Sequence, residues 1–108
     1  LGDVRGKTCI LVDDLIATGS SLVEAANALH RAGATAIYAC VTHPVLSGEA
    51  QQRVASSCLS EFIVTDTIPL DPAQRHPKTT VLSVAPLLSE AIRRIHYEQS
   101  LSVLFDGF

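Results

Sequence analysis

The chain has 108 residues, of which 47% are hydrophobic and 18% are charged, and its formal net charge is −3. This length suits one domain with a modest core, and the hydrophobic content excludes wholesale disorder. The 8 basic and 11 acidic residues form no basic tract, so we expect no nucleic-acid partner. We also expect no membrane association, because no apolar run approaches the roughly 20 residues that span a bilayer.

Three cysteines, Cys9, Cys40 and Cys58, are an odd number without a CxxC spacing. Two of them lie in apolar runs. Such thiols are typical of reduced, buried residues, and they predict a cytoplasmic location.

The first strand is predicted over residues 8–13. Four consecutive apolar residues, Cys9 to Val12, precede two carboxylates, Asp13 and Asp14. A short run of this kind, rich in branched side chains, is typical of a strand buried on both faces in a parallel sheet. A polar turn follows, and its Gly19 permits a sharp bend and close approach of the backbone to a ligand.

A helix is predicted over residues 21–32. Ser21 followed by Glu24 fits a capping box, which makes Ser21 the predicted N-cap. Four residues at helical spacing mark the face that packs on the sheet: Leu22, Ala25, Ala26 and Leu29.

The remaining pattern predicts three more strands and two more helices. The strands fall at 35–41, 61–65 and 80–84, and the helices at 47–57 and from Pro86 onward. This βαβαββα order predicts an α/β fold, a single domain over residues 1–108, with a mainly parallel sheet and helices on both faces. The final helix is expected to bury one apolar stripe: Leu88, Ala91, Ile92 and Ile95.

Two loop features accompany these elements. Pro44 is expected to end the second strand, since proline cannot continue a central ladder. His43 is then predicted to be a hydrogen-bonded loop residue near the sheet edge that carries the polar turn. Residues 100–105 alternate serine with apolar side chains, which fits a short strand or a docking segment.

The polar turn is a candidate phosphate site. Amides of the turn and of the first helical turn should point outward, with the positive end of the helix dipole behind them. The hydroxyls of Thr18, Ser20 and Ser21 add donors. Asp13 and Asp14 can accept hydrogen bonds from sugar hydroxyls or hold Mg²⁺ through water. This combination suits a phosphorylated sugar, and a plain strand–loop–helix connection is the alternative.

The stretch Val12–Ser21, VDDLIATGSS, resembles the phosphoribosyl-diphosphate (PRPP) loop of the type I phosphoribosyltransferase fold. This loop alone does not distinguish transferases from PRPP synthetases. Four later stretches resemble, in the same order, the C-terminal part of the ribose-phosphate pyrophosphokinase (PRPP synthetase) family: Thr42–Gly48, Asp66–Leu70, Glu90–Arg94 and Gln99–Phe105. The resemblance covers nearly the whole chain.

The resemblance implies a phosphoribosyltransferase-like fold and a function in nucleotide biosynthesis. Enzymes of this family transfer the diphosphoryl group of ATP to the C1 hydroxyl of ribose 5-phosphate, with Mg²⁺. Neither Asp13 nor Asp14 needs to act as a general base, and no catalytic residue is assigned. These two would meet the ribose hydroxyls and the water shell of the metal, and the 5-phosphate would be cradled by Ala17, Thr18, Gly19, Ser20 and Ser21.

The resemblance also implies regulation and assembly. The family's regulatory site binds phosphate or ADP between subunits, and Ser100, Ser102 and Phe105 match the stretch that contributes to it. Members of the family form dimers assembled into hexamers, so a homo-oligomer is expected.

Two positions depart from the family's pattern. Ala17 stands where most members have an aspartate, which removes a polar contact to the sugar and puts ribose affinity in question. Ser20 stands where a glycine is usual, which costs backbone freedom and adds a hydroxyl.

The resemblance places the chain in the C-terminal part of a two-domain enzyme whose N-terminal domain is absent. That domain supplies the nucleotide-binding loops, a metal-binding histidine and a mobile basic loop, so ATP would bind mostly through it. We therefore predict that the chain alone does not form PRPP. Two alternatives stay open: a catalytically silent regulatory homologue, in which Ala17 signals lost chemistry, and a phosphoribosyltransferase.

Overall fold

The computed structural model describes residues 2–106. In chain order these residues form β1 (Thr8–Ile16), α1 (Ser20–Arg31), β2 (Ala36–Pro44), α2 (Ala50–Ala55), β3 (Glu61–Thr65), β4 (Thr79–Leu82), α3 (Ala85–His96) and a 3₁₀ helix (Ser102–Phe105). The predicted βαβαββα order is confirmed. Every helix in this range is too short or too polar to pass through a bilayer.

The four strands form one parallel sheet in the order β1–β2–β3–β4. Each strand therefore pairs with its neighbour in the sequence. In the first pair, Asp13 lies opposite Val41 and Ile16 lies opposite Pro44, so the carboxyl ends of β1 and β2 meet at one sheet edge. The predicted α/β class and the parallel sheet are confirmed.

The core lies between one face of this sheet and helices α1 and α2. Helix α1 contributes Ala26, which is fully buried on its predicted face, and α2 contributes Val54. The small Ala26 side chain lets the helix approach the strands closely. The buried sheet residues follow the two-residue period of a strand along β2 and β3: Ile37, Ala39, Val41, Phe62 and Val64.

The opposite face of the sheet is partly uncovered within residues 2–106. Ile10 and Val12 on β1 are 63% and 79% exposed, and Leu82 on β4 is 56% exposed. The prediction that β1 is buried on both faces is therefore wrong for this chain. The reason is that α1 and α2 both pack on the face that carries the core, whereas Ile10 and Val12 point to the other face.

Strand β2 continues to Pro44, beyond the end predicted at residue 41. The pairing of β2 with β3 stops at Val41 and Val64, whereas the pairing with β1 extends to Pro44. Past Val41, β2 has a ladder on one side, so the missing N–H of Pro44 interrupts no second ladder. A proline is therefore tolerated at this position.

Helix α3 has the predicted helical period, and Pro86 lies in its first turn, where the missing N–H costs nothing. Its predicted burial is wrong, because Leu88, Ile92 and Ile95 are 55%, 68% and 62% exposed. The helix makes few contacts with the sheet and the other helices of the described chain, so its apolar stripe faces solvent. The segment after it forms the 3₁₀ helix and not a strand.

An ion-pair network links the end of α3 to the segment that follows. Glu90 accepts hydrogen bonds from Arg93 Nη2 at 2.7 Å and from Arg94 Nε at 3.0 Å. The arginines also reach forward: Arg94 Nη1 donates to the Ser100 carbonyl at 3.1 Å, and Arg93 Nη2 donates to Gln99 Oε1 at 3.4 Å. The hydrogen bond from Arg93, aided by the charges of both arginines, lowers the pKa of Glu90 from 4.5 to about 2.

We predict that Glu90 keeps its charge in the folded chain to low pH. Because its pKa is lower folded than unfolded, its contribution to stability is present above about pH 4.5 and is lost as the pH falls towards about 2. An NMR titration should give a Glu90 midpoint near pH 2, and Arg93→Gln should raise it towards 4.5. Arg75→Gln, in the exposed segment between β3 and β4, is the control. A wild-type midpoint near 4.5 would contradict the network.

Candidate functional site

The predicted polar turn lies at the carboxyl edge of the sheet, between the end of β1 and the start of α1. It borders a cleft of about 240 Å³. Among the predicted site residues, Asp13, Ala17, Thr18, Gly19 and Ser21 line this cleft. Asp14 and Ser20 are neighbours of these residues in the chain but do not line it. The remaining lining residues are apolar: Leu15, Ile16, Leu22 and Val41.

The start of α1 differs from the predicted capping box. The helix begins at Ser20, its N-cap is Gly19, and no side chain caps it. Gly19 has φ 82° and ψ −4°, a left-handed conformation that glycine adopts without strain. Ser21 lies inside the first turn, so the prediction of Ser21 as N-cap is wrong. Among residues 2–106, the side-chain contact to these amides is the long one of Thr18 Oγ1, which lies 3.5 Å from the Ser20 nitrogen, so the positive end of the helix has no side-chain cap.

The carbonyl groups of the turn are held from behind by the segment that follows β2. The Leu46 N–H donates to the Ile16 carbonyl at 3.1 Å, and the Ser47 N–H donates to the Ala17 carbonyl at 2.9 Å. Peptide bonds in the described chain are trans, so each carbonyl points opposite to the N–H of the next residue. The Ala17 and Thr18 amides therefore point away from that segment.

These amides are available to a ligand. Within residues 2–106, the N–H groups of Ala17, Thr18 and Gly19 donate to no other backbone group. Ala17 and Thr18 are exposed and Gly19 is buried, and all three residues line the cleft. A row of amides next to an uncapped helix N-terminus is a favourable environment for an anion such as phosphate.

The two aspartates take different positions. They are successive residues of β1, and successive side chains of a strand point to opposite faces of the sheet. Asp13 lines the cleft, and its Oδ1 accepts a hydrogen bond from the Asp14 N–H at 2.8 Å. The structure therefore places Asp13 at the cleft beside the turn, whereas Asp14, the next residue of β1, does not line the cleft.

The hydroxyl groups of the turn bond with one another. Thr18 Oγ1 and Ser20 Oγ are 3.0 Å apart, and both residues are exposed. His43 also forms a hydrogen bond: Nδ1 lies 2.9 Å from Thr67 Oγ1, and the residue pairs with Leu15 at the same sheet edge. The predicted hydrogen bond of His43 is confirmed, but its predicted place in a loop is wrong, because β2 continues through His43 to Pro44.

The predicted effector residues form a separate group. Ser100 Oγ and Ser102 Oγ are 2.7 Å apart, and Ser102 and Phe105 lie in the 3₁₀ helix after α3. All three residues are exposed, and none of them lines the cleft at the turn.

The chain is similar to known proteins over nearly its whole length. The family described as "Phosphoribosyl synthetase-associated domain" matches residues 1–106. The chain belongs to this family.

Relatives in the phosphoribosyl synthetase family are much longer than this chain. The chain is 52% identical over 106 residues to ribose-phosphate pyrophosphokinase of Oceanobacillus iheyensis and 55% identical over 105 residues to that of Caldanaerobacter subterraneus subsp. tengcongensis. These alignments cover 98% and 97% of the chain and 33% of each relative. The chain thus spans about a third of the length of the curated relatives it matches.

A solved structure of the family has the same fold. The chain matches the crystal structure of phosphoribosylpyrophosphate synthetase from Mycobacterium smegmatis with a TM-score of 0.87 and 47% identity. The match covers 91% of this chain and 33% of the other. The resemblance to PRPP synthetases drawn from the sequence is confirmed.

One residue of the site was missed by the sequence analysis. Arg53 Nη1, from helix α2, donates a hydrogen bond to the Thr18 carbonyl at 2.8 Å. The two residues are 35 positions apart, and Arg53 lies in a short helix without a motif. No pattern in the sequence predicted that this side chain reaches the turn.

We predict that Gly19→Ala lowers the stability of the chain, because alanine is strained in the left-handed conformation of Gly19. A Cβ would meet Ile16 Cδ1 at 3.6 Å and the Ala50 carbonyl oxygen at 3.7 Å, which are ordinary contacts, so the cost of Gly19→Ala is backbone strain. Urea unfolding should show a loss of about 1 kcal/mol. Gly48→Ala is a matched control, because Gly48 has φ 61° and open space around it. Gly48→Ala should lose a similar free energy of unfolding, and the NMR amide shifts of the turn should stay unchanged in it. If the turn shifts also stayed unchanged in Gly19→Ala, the explanation by strain at the turn would be wrong.

Proposed function

We propose that this chain provides the ribose 5-phosphate-binding loop of a ribose-phosphate diphosphokinase. The proposed reaction transfers the diphosphoryl group of ATP to the C1 hydroxyl of ribose 5-phosphate and makes PRPP for nucleotide biosynthesis. The observation that carries the proposal is the row of unoccupied amides from Ala17 to Gly19 beside the uncapped N-terminus of α1. The identity to ribose-phosphate pyrophosphokinases over nearly the whole chain favours this activity over a phosphoribosyltransferase.

The residues of the site divide the substrate between them. The amides of the turn and the hydroxyls of Thr18, Ser20 and Ser21 would bind the 5-phosphate. Asp13, which lines the same cleft, would accept hydrogen bonds from the ribose hydroxyls. This arrangement fixes the sugar at both ends and leaves its C1 hydroxyl to be positioned for attack, which is the main demand of phosphoryl transfer.

The residues fit a hydrated Mg²⁺. Within residues 2–106 there is no cluster of three or more metal-binding side chains, so a metal site made wholly by these residues is not offered. Mg²⁺ often keeps several waters and takes one or two carboxylates together with substrate oxygens. Asp13 and Asp14 would hold such an ion through its water shell, and the metal would neutralise charge on the transferred group. Neither aspartate is proposed as a general base.

We propose further that the chain acts as the C-terminal part of a longer two-domain enzyme. The exposed Ile10 and Val12 and the apolar stripe of α3 are surfaces that the remainder of such an enzyme, or another subunit of a homo-oligomer, would cover. ATP would bind mostly through the other domain. The free thiols of Cys9, Cys40 and Cys58 agree with a reducing, cytoplasmic location.

A regulatory function is proposed for the segment after α3. The paired hydroxyls of Ser100 and Ser102, with Phe105 nearby in the chain, would contact phosphate or ADP as an effector. Arg94, which is paired with Glu90, holds this segment to the end of α3 by donating a hydrogen bond to the Ser100 carbonyl.

The proposal is tested by the binding of ribose 5-phosphate to the chain. Isothermal titration should detect binding, and Asp13→Asn should weaken it about tenfold, because the charged acceptor for the ribose hydroxyls becomes a neutral amide. Binding of inorganic phosphate should be nearly unchanged in the same variant, since the amides hold the phosphate. Asp71→Asn, in the segment between β3 and β4, is the control.

Two outcomes would count against the proposal. If the wild type bound neither ribose 5-phosphate nor inorganic phosphate, the turn would be a plain connection. If Asp13→Asn weakened phosphate as much as the sugar phosphate, Asp13 would not be the ribose contact. With ATP and Mg²⁺ added, the chain alone should form no PRPP, and formation of PRPP would refute the need for a second domain.

The departure at Ala17 gives a further prediction. Ala17 is exposed and lines the cleft, so an aspartate there can reach a bound sugar. Ala17→Asp should raise the affinity for ribose 5-phosphate about fivefold, the size of one added hydrogen bond. Ala73→Asp adds the same charge away from the turn and should change nothing. If Ala17→Asp bound no better, our explanation of that position would be wrong.

A further inference from the structure

The turn has three consecutive carbonyls, and two of them are held by main-chain donors. Leu46 and Ser47 supply the N–H groups that bind the Ile16 and Ala17 carbonyls. The third carbonyl, of Thr18, is out of this pattern, because after Ser47 the chain turns at Gly48 and enters α2. A side chain, that of Arg53, supplies the missing donor at 2.8 Å.

We propose that Arg53 is a positioning residue for the anion-binding turn, which deepens the proposed function and rests on it. By holding the Thr18 carbonyl towards α2, the guanidinium turns the following peptide so that the Gly19 N–H points to the opposite side. The Gly19 amide then joins those of Ala17 and Thr18. Arg53 therefore determines the orientation of the third amide, that of Gly19, and it acts on the ligand through the backbone.

The packing of α2 supports this assignment. Gly19 lies against the first residue of α2, with Ala50 Cα and the Ala50 carbonyl oxygen 3.8 Å and 3.7 Å from the position of a Gly19 Cβ. Arg53 is three residues after Ala50, so both lie on the same side of the helix. Val54 anchors the helix in the core, where it is 1% exposed. The backbone of Arg53 is thus held next to the turn.

The positive charge of Arg53 strengthens its hydrogen bond to the Thr18 carbonyl. A hydrogen bond from a charged donor is stronger than one from a neutral group, which suits an exposed contact that water can replace. The carbonyl it binds gains polarity along the same peptide, so the Gly19 N–H becomes a better donor to an anion. An uncharged side chain at position 53 would supply neither effect.

The test is an NMR titration of the labelled chain with inorganic phosphate and with ribose 5-phosphate. In the wild type, both ligands should shift the amides of Ala17, Thr18 and Gly19. Arg53→Met should weaken both ligands about tenfold, with an unfolding midpoint close to that of the wild type. Arg53→Lys keeps a charged donor and should recover part of the loss. Arg75→Met removes an arginine elsewhere and should bind like the wild type.

The outcomes separate this inference from the proposed function. If the wild type binds both ligands and Arg53→Met binds them equally well, Arg53 does not position the turn and the proposed function stands. If the wild type binds neither ligand, the proposed function and this inference are both overturned. If Arg53→Met fails to fold, Arg53→Lys and Arg53→Gln decide: weaker phosphate binding by Gln than by Lys supports the inference, and equal binding overturns it.

Discussion

The site depends on where the carbonyl groups of one turn are bound. Strand β1 leads into the turn at the carboxyl edge of the sheet, and the segment after β2 donates hydrogen bonds to the turn's first two carbonyls. Because a planar trans peptide places C=O and N–H on opposite sides, satisfying the carbonyls inward aligns the amides outward. The parallel register that sets Ile16 opposite Pro44 makes this possible, since it brings residues 46–47 to the turn. The outward orientation of the turn amides is thus a consequence of the sheet pairing.

The surface of the chain has a second physical feature, which is its uncovered apolar area. One sheet face and one side of α3 carry branched side chains at positions that would be interior in a larger assembly. A chain with this much exposed apolar surface is less stable alone than its sequence composition suggests, because the hydrophobic gain of those residues is not realised. In the two-domain enzyme proposed above, the remainder of the enzyme or another subunit would cover these residues.

The local part of the site could be predicted from the sequence, and the long-range part could not. The strand, the acidic pair and the glycine-containing turn are adjacent in the chain, so their order alone located the cleft residues Asp13, Thr18 and Gly19. The N-cap was predicted wrongly because Gly19 adopts a left-handed conformation and takes the position that the capping pattern gave to Ser21. The predictions that β1 and α3 are buried were wrong, because periodicity shows which face of an element is apolar but not whether another element covers that face. Arg53 could not be found because its contact depends on how α2 packs against a turn 35 residues away.

A site built from main-chain amides tolerates side-chain change in a way that a site built from side chains does not. Every residue except proline has an amide N–H, so replacing the family's aspartate with Ala17, or its glycine with Ser20, leaves the donors for the phosphate in place. The proposed sugar contacts have no such protection, because they would come from carboxylates such as Asp13. The departures of this sequence should therefore act on recognition of the ribose and leave recognition of its phosphate largely intact. Under the proposed function, a chain can therefore keep the amides that bind the phosphate even where a substitution alters its contacts to the sugar.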